Sequence, residues 1–238
     1  MPLYDQIYDY ILGQIQDKTL KEGDMLPTEI ELGKQFGVSR PTVRTAVLKL
    51  VAEGRLVRVK GRGTFVTEPK LEQESTQFIE SYNEEMQQKG LVPRTVVLEL
   101  RTAPADDRVA KRLGIEAGAR VVILKRLRYV QAVDKEKPVV MTTVYVPYSI
   151  APYLIDYNFE TSSLYDVFGE HGLVVRSVVR ELEVKALFGK TALLLETKQN
   201  APAHYIASTG RDENGRVVEY SESFYPADRN KFIIRISR

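Results

Sequence analysis

A short turn leading into a helix, followed by a glycine-rich basic loop, constrains this chain more than any other feature. Residues 37–44 read Gly-Val-Ser-Arg-Pro-Thr-Val-Arg, which predicts a tight turn and a helix start that presents hydroxyl and guanidinium groups. Residues 60–65 read Lys-Gly-Arg-Gly-Thr-Phe, and the flanking alternation predicts the tip of a β-hairpin. Such a helix start fits a DNA major groove, and a narrow basic loop fits a minor groove. Together the two segments predict a winged helix-turn-helix.

Two further helices are predicted ahead of this pair. Apolar residues recur at intervals of three and four within residues 3–18, as they do in an amphipathic helix. Thr28 is expected to cap the second helix, and Glu31, three residues later, completes a capping box. Ser39 is expected to cap the third helix. Residues 1–67 are therefore predicted to form the winged helix-turn-helix domain.

Basic side chains are concentrated in this region. The whole chain has a net charge of only +2, but residues 34–67 contain eight basic residues and one acidic residue, a net charge of +7. A basic block of this kind is typical of a surface that contacts phosphate, and a solvated face without a partner is the alternative. The candidate DNA-binding residues are Thr28, Glu29, Ser39, Arg40, Thr42, Arg44, Lys60, Gly61, Arg62 and Gly63.

Composition excludes several other classes of protein. The chain contains no cysteine, so neither a disulfide framework nor a thiolate metal site can form. It has no apolar run long enough to cross a bilayer, and its first residues lack the basic and apolar regions of a signal peptide. We therefore expect a cytoplasmic protein with no membrane partner and no cofactor.

The rest of the chain predicts a second domain. Residues 68–77 are polar and include one proline, which favours a linker before a domain at residues 78–238. Strands are predicted at residues 95–102, 120–130, 139–146, 174–185, 204–212 and 217–225, and helices at residues 79–89, 106–113, 164–171 and 191–196. Antiparallel-type strands with helices between them favour an α+β fold over a doubly wound parallel sheet.

Ordered motifs link both halves to a known family. In the first half they are Pro2-Leu3-Tyr4, Leu26-Pro27-Thr28-Glu29, Val38-Ser39-Arg40 and Gly61-x-Gly63-Thr64-Phe65-Val66. In the second half they include Glu84-Glu85-Met86, Arg126-x-Arg128, Tyr145-x-Pro147, Ser163-Leu164-Tyr165 and Gly215-Arg216-Val217-Val218-Glu219-Tyr220. The first set resembles the GntR family of bacterial transcription regulators. The second is similar to its HutC subfamily, whose UTRA effector domain has the chorismate lyase fold, a mostly antiparallel sheet with flanking helices.

This resemblance implies a homodimer that binds a pseudo-palindromic DNA operator, usually as a repressor, under the control of a small effector. Two-fold protein symmetry matches a symmetric operator. Arg40 and Arg44 lie one helical turn apart and can read guanine or clamp phosphate. The alternatives are that Arg44 pairs with an acidic residue and that Thr28 only caps its helix.

The resemblance also implies an effector site. Its residues are Ser81, Tyr82, Arg126, Arg128, Thr142, Ser163, Tyr165, Glu219 and Tyr225. Arginines two apart on a strand point to one face and suit phosphate or carboxylate, and backbone N–H groups at the helix start near Ser163 suit the same anion. Glu219 can accept a hydroxyl or amine of the ligand, whereas solvated arginines and a core Tyr165 are the alternatives. Thr142 stands where amino-sugar-phosphate-sensing members have an acid. The expected effector is therefore only an anionic small metabolite, a sugar phosphate or an organic acid.

An enzyme is the alternative from another class. A chorismate-lyase-like enzyme acting on a small carboxylate would share the expected fold, although fold alone does not imply function. Catalysis needs a poised acid, base or nucleophile. The two histidines, His171 and His204, have no metal-ligand spacing to each other, so no catalytic or metal-binding residue is predicted. A purely protein-binding module would leave the basic loop unexplained.

Overall fold

The chain forms two compact units in a computed structural model. The structure describes residues 2–67, 70–73, 86, 91–130 and 137–234. One unit comprises Met1–Lys70 and the other Leu71–Arg238.

Three helices and a two-stranded hairpin build the N-terminal unit. The elements are α1 (Leu3–Gln16), α2 (Glu29–Phe36), α3 (Arg40–Ala52), β1 (Leu56–Val59) and β2 (Gly63–Val66). The two strands are antiparallel, with Leu56 opposite Val66 and Val59 opposite Gly63. The helix order and the hairpin are those that the sequence predicts.

The apolar faces of the three helices form the core of this unit. Ile7 and Ile11 of α1 pack with Val43, Val47 and Leu50 of α3, and all five side chains are buried. Full burial of one such side chain stabilises the folded state by about 1.5–3 kcal/mol. The intervals of three and four in the sequence therefore report the helix face that points inward.

Helix ends in this unit follow the predicted capping chemistry, with one difference. Thr28 and Glu31 form a complete capping box, and Gly37 adopts the left-handed conformation at φ 64°. Ser39 has the extended backbone of an N-cap residue, but its side chain does not bond a helix N–H group. Its hydroxyl instead lies 2.8 Å from the Thr42 hydroxyl, so the side-chain cap predicted for α3 is absent from this described segment.

A six-stranded antiparallel sheet dominates the C-terminal unit. Its strands are β4 (Pro93–Pro104), β5 (Arg120–Val130), β6 (Lys137–Pro147), β7 (Ser177–Leu187), β8 (Ala201–Arg211) and β9 (Val217–Pro226). Their order in the sheet is β4-β5-β6-β9-β8-β7. The antiparallel sheet confirms the predicted α+β class.

Helices cover the two faces of this sheet. A 3-10 helix (Pro152–Asp156) and helix α5 (Leu164–Glu170) pack on one face against a cluster that includes Leu124 and Val144. Helix α4 (Asp107–Leu113) packs on the other face, as does α6 (Gly189–Leu194) against a neighbouring cluster. Because side chains alternate along a strand, β5 contributes Leu124 to the first cluster and Ile123 to a cluster on the opposite face.

Part of the segment predicted to be a linker is a strand. Strand β3 (Leu71–Gln73) pairs in parallel with β10 (Asn230–Phe232). The amide of Gln73 donates to Asn230 Oδ1 at 3.0 Å, and both side chains are buried. This pairing joins residues far apart in the sequence, so the polar composition that indicates a linker does not reveal it. The helix predicted at residues 79–89 falls, except for Met86, outside the described residues.

Candidate nucleic-acid interface and small-molecule site

The start of α3 presents the predicted DNA-contacting groups at the surface. Gly33 allows the tight approach of α2 to the turn, because a Cβ there would lie 3.0 Å from the Val38 carbonyl oxygen. Ser39, Arg40 and Arg44 are exposed, and Thr42 is half-buried. The side chains expected to reach DNA therefore share one accessible helix start.

Arg44 lies one turn beyond Arg40 on this helix. Within the part of the chain that the structure describes, Arg44 forms no ion pair. Pairing with an acidic residue, the alternative reading of Arg44, is therefore not observed among those residues. An exposed guanidinium in this position can donate two parallel hydrogen bonds to guanine or to phosphate.

Glu29 is a predicted DNA-binding residue whose carboxylate is already engaged. It accepts hydrogen bonds from Arg40 Nε at 2.9 Å and from Arg58 Nη2 at 2.6 Å. Burial opposes its ionisation, but these two arginines outweigh burial and hold the pKa of the Glu29 carboxyl below its ordinary value. Glu29 is therefore an anion stabilised by the protein itself.

Thr28, next to Glu29, makes the contacts of a helix cap. Its hydroxyl donates to Glu31 Oε2 at 2.8 Å and accepts from the Glu31 N–H at 3.3 Å. Thr28 is nevertheless exposed, so the capping role does not bury it. The geometry of the free protein fits the helix-cap reading of Thr28.

The hairpin tip between β1 and β2 has the expected backbone. Gly61 and Gly63 have φ values of 75° and 128°, which residues with a Cβ rarely adopt. The Arg62 N–H donates to the Val59 carbonyl at 3.0 Å and closes the turn. The Arg62 guanidinium lies 5.9 Å from the centre of the Phe65 ring. Lys60 through Gly63 are exposed, so the tip is a narrow, positively charged projection.

The C-terminal unit brings two arginines to one face of its sheet. Arg126 and Arg128 lie two residues apart on β5, and Arg126 is only 5% exposed. The Arg126 Nε is buried and has no hydrogen-bond partner among the described residues. Arg128 donates from Nη1 to the Thr142 hydroxyl at 3.2 Å. The solvated-arginine alternative therefore does not describe Arg126.

Hydroxyl groups continue this site across the sheet. Arg126 is opposite Thr142 on β6, and Thr142 is opposite Ser223 on β9. The Thr142 and Ser223 hydroxyls lie 2.9 Å apart, and both residues are buried. Ser223 was not predicted from the sequence, although counting in steps of two from Glu219 along β9 reaches it.

Glu219 is a buried carboxylate in the same part of the sheet. The Tyr165 hydroxyl, from the first turn of α5, donates to Glu219 Oε1. Burial raises the pKa of Glu219, against the hydrogen bond from Tyr165 and the charges of Arg126 and Arg180. Burial also raises the pKa of the Tyr165 hydroxyl, and the negative charge of Glu219 adds to that effect. Tyr165 thus has a polar role in addition to its packing.

Burial and a neighbouring positive charge both disfavour the charged form of Arg126. Burial lowers the pKa of its guanidinium, and the positive charge of Arg128 acts in the same direction, whereas Glu219 opposes it. An arginine stays protonated in proteins even so, because its intrinsic basicity is very high. A bound anion would supply the missing compensation.

Sequence comparisons identify the family. The model of the family described as bacterial regulatory proteins, gntR family, matches residues 3–66, and that of the UTRA domain matches residues 88–231. The chain is 32% identical over 239 residues to the HTH-type transcriptional repressor NagR of Bacillus subtilis (strain 168), covering 100% of this chain and 96% of NagR. The chain belongs to the GntR family. This GntR-family chain carries a UTRA domain, as the resemblance in its motifs implies.

Other members of the family agree over the full length. The chain is 33% identical over 237 residues to the mannosyl-D-glycerate transport/metabolism system repressor MngR of Escherichia coli (strain K12), covering 100% of this chain and 97% of MngR. The crystal structure of PhnF from Mycobacterium smegmatis superposes with a TM-score of 0.75 at 26% identity, covering 99% of both chains. The predicted function, a DNA-binding transcription regulator with an effector domain, is confirmed at the level of the family.

Four predicted effector residues of this GntR-family chain remain to be placed, and the structure describes two of them, Ser163 and Tyr225. Ser163 caps α5, because its hydroxyl accepts from the Asp166 N–H at 3.4 Å. Tyr225 lies two residues beyond Ser223 on β9, and its ring packs edge-on against Phe232 with centroids 5.0 Å apart. Ser81 and Tyr82 are outside the described residues.

The structure offers no support for the enzyme alternative. His171 stacks on Tyr153 with ring centroids 3.5 Å apart, and its Nε2 lies 3.0 Å from the Tyr157 hydroxyl. His204 packs edge-on against Phe232. Among the described residues, no group of three His, Cys, Asp or Glu side chains is arranged to hold a metal ion.

None of the described helices is long and apolar enough to span a bilayer.

Proposed function

We propose that this chain is a cytoplasmic transcription repressor that binds a pseudo-palindromic operator as a homodimer and responds to an anionic small metabolite. The observation that carries the effector proposal is Arg126, a buried guanidinium with an unpartnered Nε beside the second positive charge of Arg128. A buried charge without full compensation is costly, and an anion that fills the site removes the cost.

The effector class follows from the chemistry of the site. Arg126 and Arg128 suit a phosphate or a carboxylate, while the Thr142 and Ser223 hydroxyls suit the hydroxyl groups of a sugar. MngR supports this class, because its name refers to mannosyl-D-glycerate, a sugar derivative with a carboxylate. We therefore propose a sugar phosphate or a sugar-derived organic acid.

The homodimer is supported by one edge of the sheet. Strand β7 pairs with β8 and with no other described strand, so eleven residues present an open edge. Val179, Leu182 and Val184 on this strand are exposed. An open strand edge of this length that exposes apolar side chains is a template for strand pairing with a second copy.

Two measurements test the proposed function. The first is a mobility-shift assay with duplex genomic fragments at low and moderate salt, in which we expect binding that weakens steeply with salt. Absence of a shift at every salt concentration would refute DNA binding.

The second measurement is a thermal-shift screen of phosphorylated sugars and carboxylates. We expect at least one compound that raises the unfolding temperature of the wild type and leaves Arg126→Ala unaffected. A compound that stabilises both proteins equally would place the anion elsewhere. A screen in which phosphates but not carboxylates stabilise the protein, or the reverse, separates the two effector classes.

A further inference from the structure

Glu29 joins three separate elements of the N-terminal unit. It is the first residue of α2, Arg40 is the first residue of α3, and Arg58 lies on β1 of the hairpin. The Arg40 and Arg58 guanidinium groups both donate to the Glu29 carboxylate, one to each of its oxygens. The elements that carry the candidate DNA contacts therefore meet at one side chain.

Exposure distinguishes the acid from its two partners. The Glu29 side chain is 17% exposed, whereas those of Arg40 and Arg58 are 65% and 33% exposed. Arg40 uses only Nε in this contact, and its two Nη atoms bond no other described group. The outward parts of the arginine therefore remain available for phosphate or a base edge, with the inner part fixed.

A free carboxylate at a DNA surface would repel phosphate. Glu29 avoids this effect because two positive charges compensate it and because it lies beneath them. Fixing an arginine in advance also lowers the conformational entropy that binding must remove. The Glu29 carboxylate therefore favours DNA binding by orienting the two arginines, although it adds a negative charge near DNA.

We propose that Glu29 is a positioning residue for DNA recognition, which orients Arg40 at the start of α3 and Arg58 on the hairpin and does not itself contact DNA. This inference rests on the proposed DNA-binding function. It differs from direct readout by Glu29, in which the carboxylate would accept a hydrogen bond from a base.

The test compares two variants that remove the same charge from the same helix. A duplex is first enriched from a random library by the wild-type protein, and its affinity for each variant is measured by fluorescence anisotropy. Glu29→Gln should bind this duplex about tenfold more weakly than the wild type, since the two arginines lose their common anchor. The control, Glu31→Gln, keeps the capping box because glutamine also serves there, and it should bind at least as tightly as the wild type.

The sign of the effect is decisive. Removal of a negative charge near DNA strengthens binding if only overall electrostatics matter. Equal or tighter binding by Glu29→Gln, relative to Glu31→Gln, would overturn the inference. Failure of the wild-type protein to enrich any duplex would instead refute the proposed function itself, so the two failures are distinguishable.

A double-mutant cycle separates positioning from direct contact and from a loss of stability. In the background Arg40→Ala with Arg58→Ala, the further change Glu29→Gln should alter affinity less than twofold, because nothing remains to be oriented. If Glu29→Gln instead weakened binding by the same factor in this background as in the wild type, Glu29 would contact DNA directly. Circular dichroism at the assay temperature checks folding. If Glu29→Gln is unfolded, Arg58→Gln is measured in its place. It should lose less affinity for the duplex than is expected of Glu29→Gln. An unchanged affinity would contradict the inference.

Discussion

Tyr165 donates a hydrogen bond to the buried carboxylate of Glu219 and so joins the first turn of α5 to strand β9. Gly210, opposite Glu219 on β8, leaves the space that this carboxylate occupies. The hydrogen bond lies in the part of the sheet that holds Arg126. A ligand group that bonds Glu219 would compete with Tyr165, which offers a physical route from effector binding to movement of α5.

Gly210→Ala should disturb Glu219 directly. A Cβ at this position would lie 2.8 Å from Glu219 Cγ and 3.1 Å from Oε1, so the carboxylate side chain must move. We expect a loss of about 1–3 kcal/mol in the free energy of unfolding and a weaker response to the effector. Urea denaturation and thermal shift measure the two effects. Gly169→Ala on α5 is the matched control, because its Cβ would meet no atom within 4 Å. An equal loss of stability in both variants would show that the effect of Gly210→Ala does not arise from Glu219.

The pH dependence of stability should report the buried Glu219. Because burial raises its pKa in the folded protein, Glu219 binds a proton more tightly when folded, and its contribution to stability falls as pH rises from the ordinary value of 4.5 through the raised pKa. Glu219→Gln does not titrate. The unfolding temperature of the wild type should therefore fall relative to that of Glu219→Gln between pH 4.5 and neutrality, and parallel profiles would contradict a raised pKa.

Arg126→Met should change ligand-free stability and effector binding in opposite directions. A buried charge without full compensation is costly, so an apolar side chain of similar length in its place should be neutral or stabilising. The variant should therefore unfold at the same or a higher temperature than the wild type and show no shift with the effector. A large loss of ligand-free stability would show that the Arg126 guanidinium is fully compensated within the protein.

Arg44 and Lys60 should contribute to DNA binding in different ways. Arg44→Ala should weaken the free energy of DNA binding by about 1–3 kcal/mol and relax sequence preference, since the Arg44 guanidinium is placed to read a base. Lys60→Ala should weaken all sequences similarly and reduce the slope of log affinity against log salt by about one. Anisotropy titrations at several salt concentrations measure both effects. Lys190→Ala, an exposed change in the other unit, serves as the control.

Hydrophobic periodicity and the capping and turn residues of the sequence predict most of the fold. The alternation within residues 120–130 places Arg126 and Arg128 on one face of β5, because strand side chains repeat every two residues. The capping box at Thr28 and Glu31 is likewise local, and the structure confirms it. Local patterns suffice where the interaction lies within a few residues.

Contacts between distant segments could not be predicted in this way. The pairing of Thr142 with Ser223 depends on strand order and register, which a single sequence does not reveal. The Glu29 contact with Arg58 similarly needs the hairpin to return to the start of α2. Propensity describes each element, whereas the identity of neighbours in space follows from how the elements pack.

An anion held by Arg126 is expected to control DNA binding by the N-terminal unit. The most direct measurement is operator affinity, by anisotropy, with and without a compound that stabilises the wild-type protein in the thermal-shift screen. The compound should change the operator affinity of the wild type at least about tenfold and leave that of Arg126→Met unchanged. An unchanged wild-type affinity, or an equal response by Arg126→Met, would show that an anion at Arg126 does not control DNA binding.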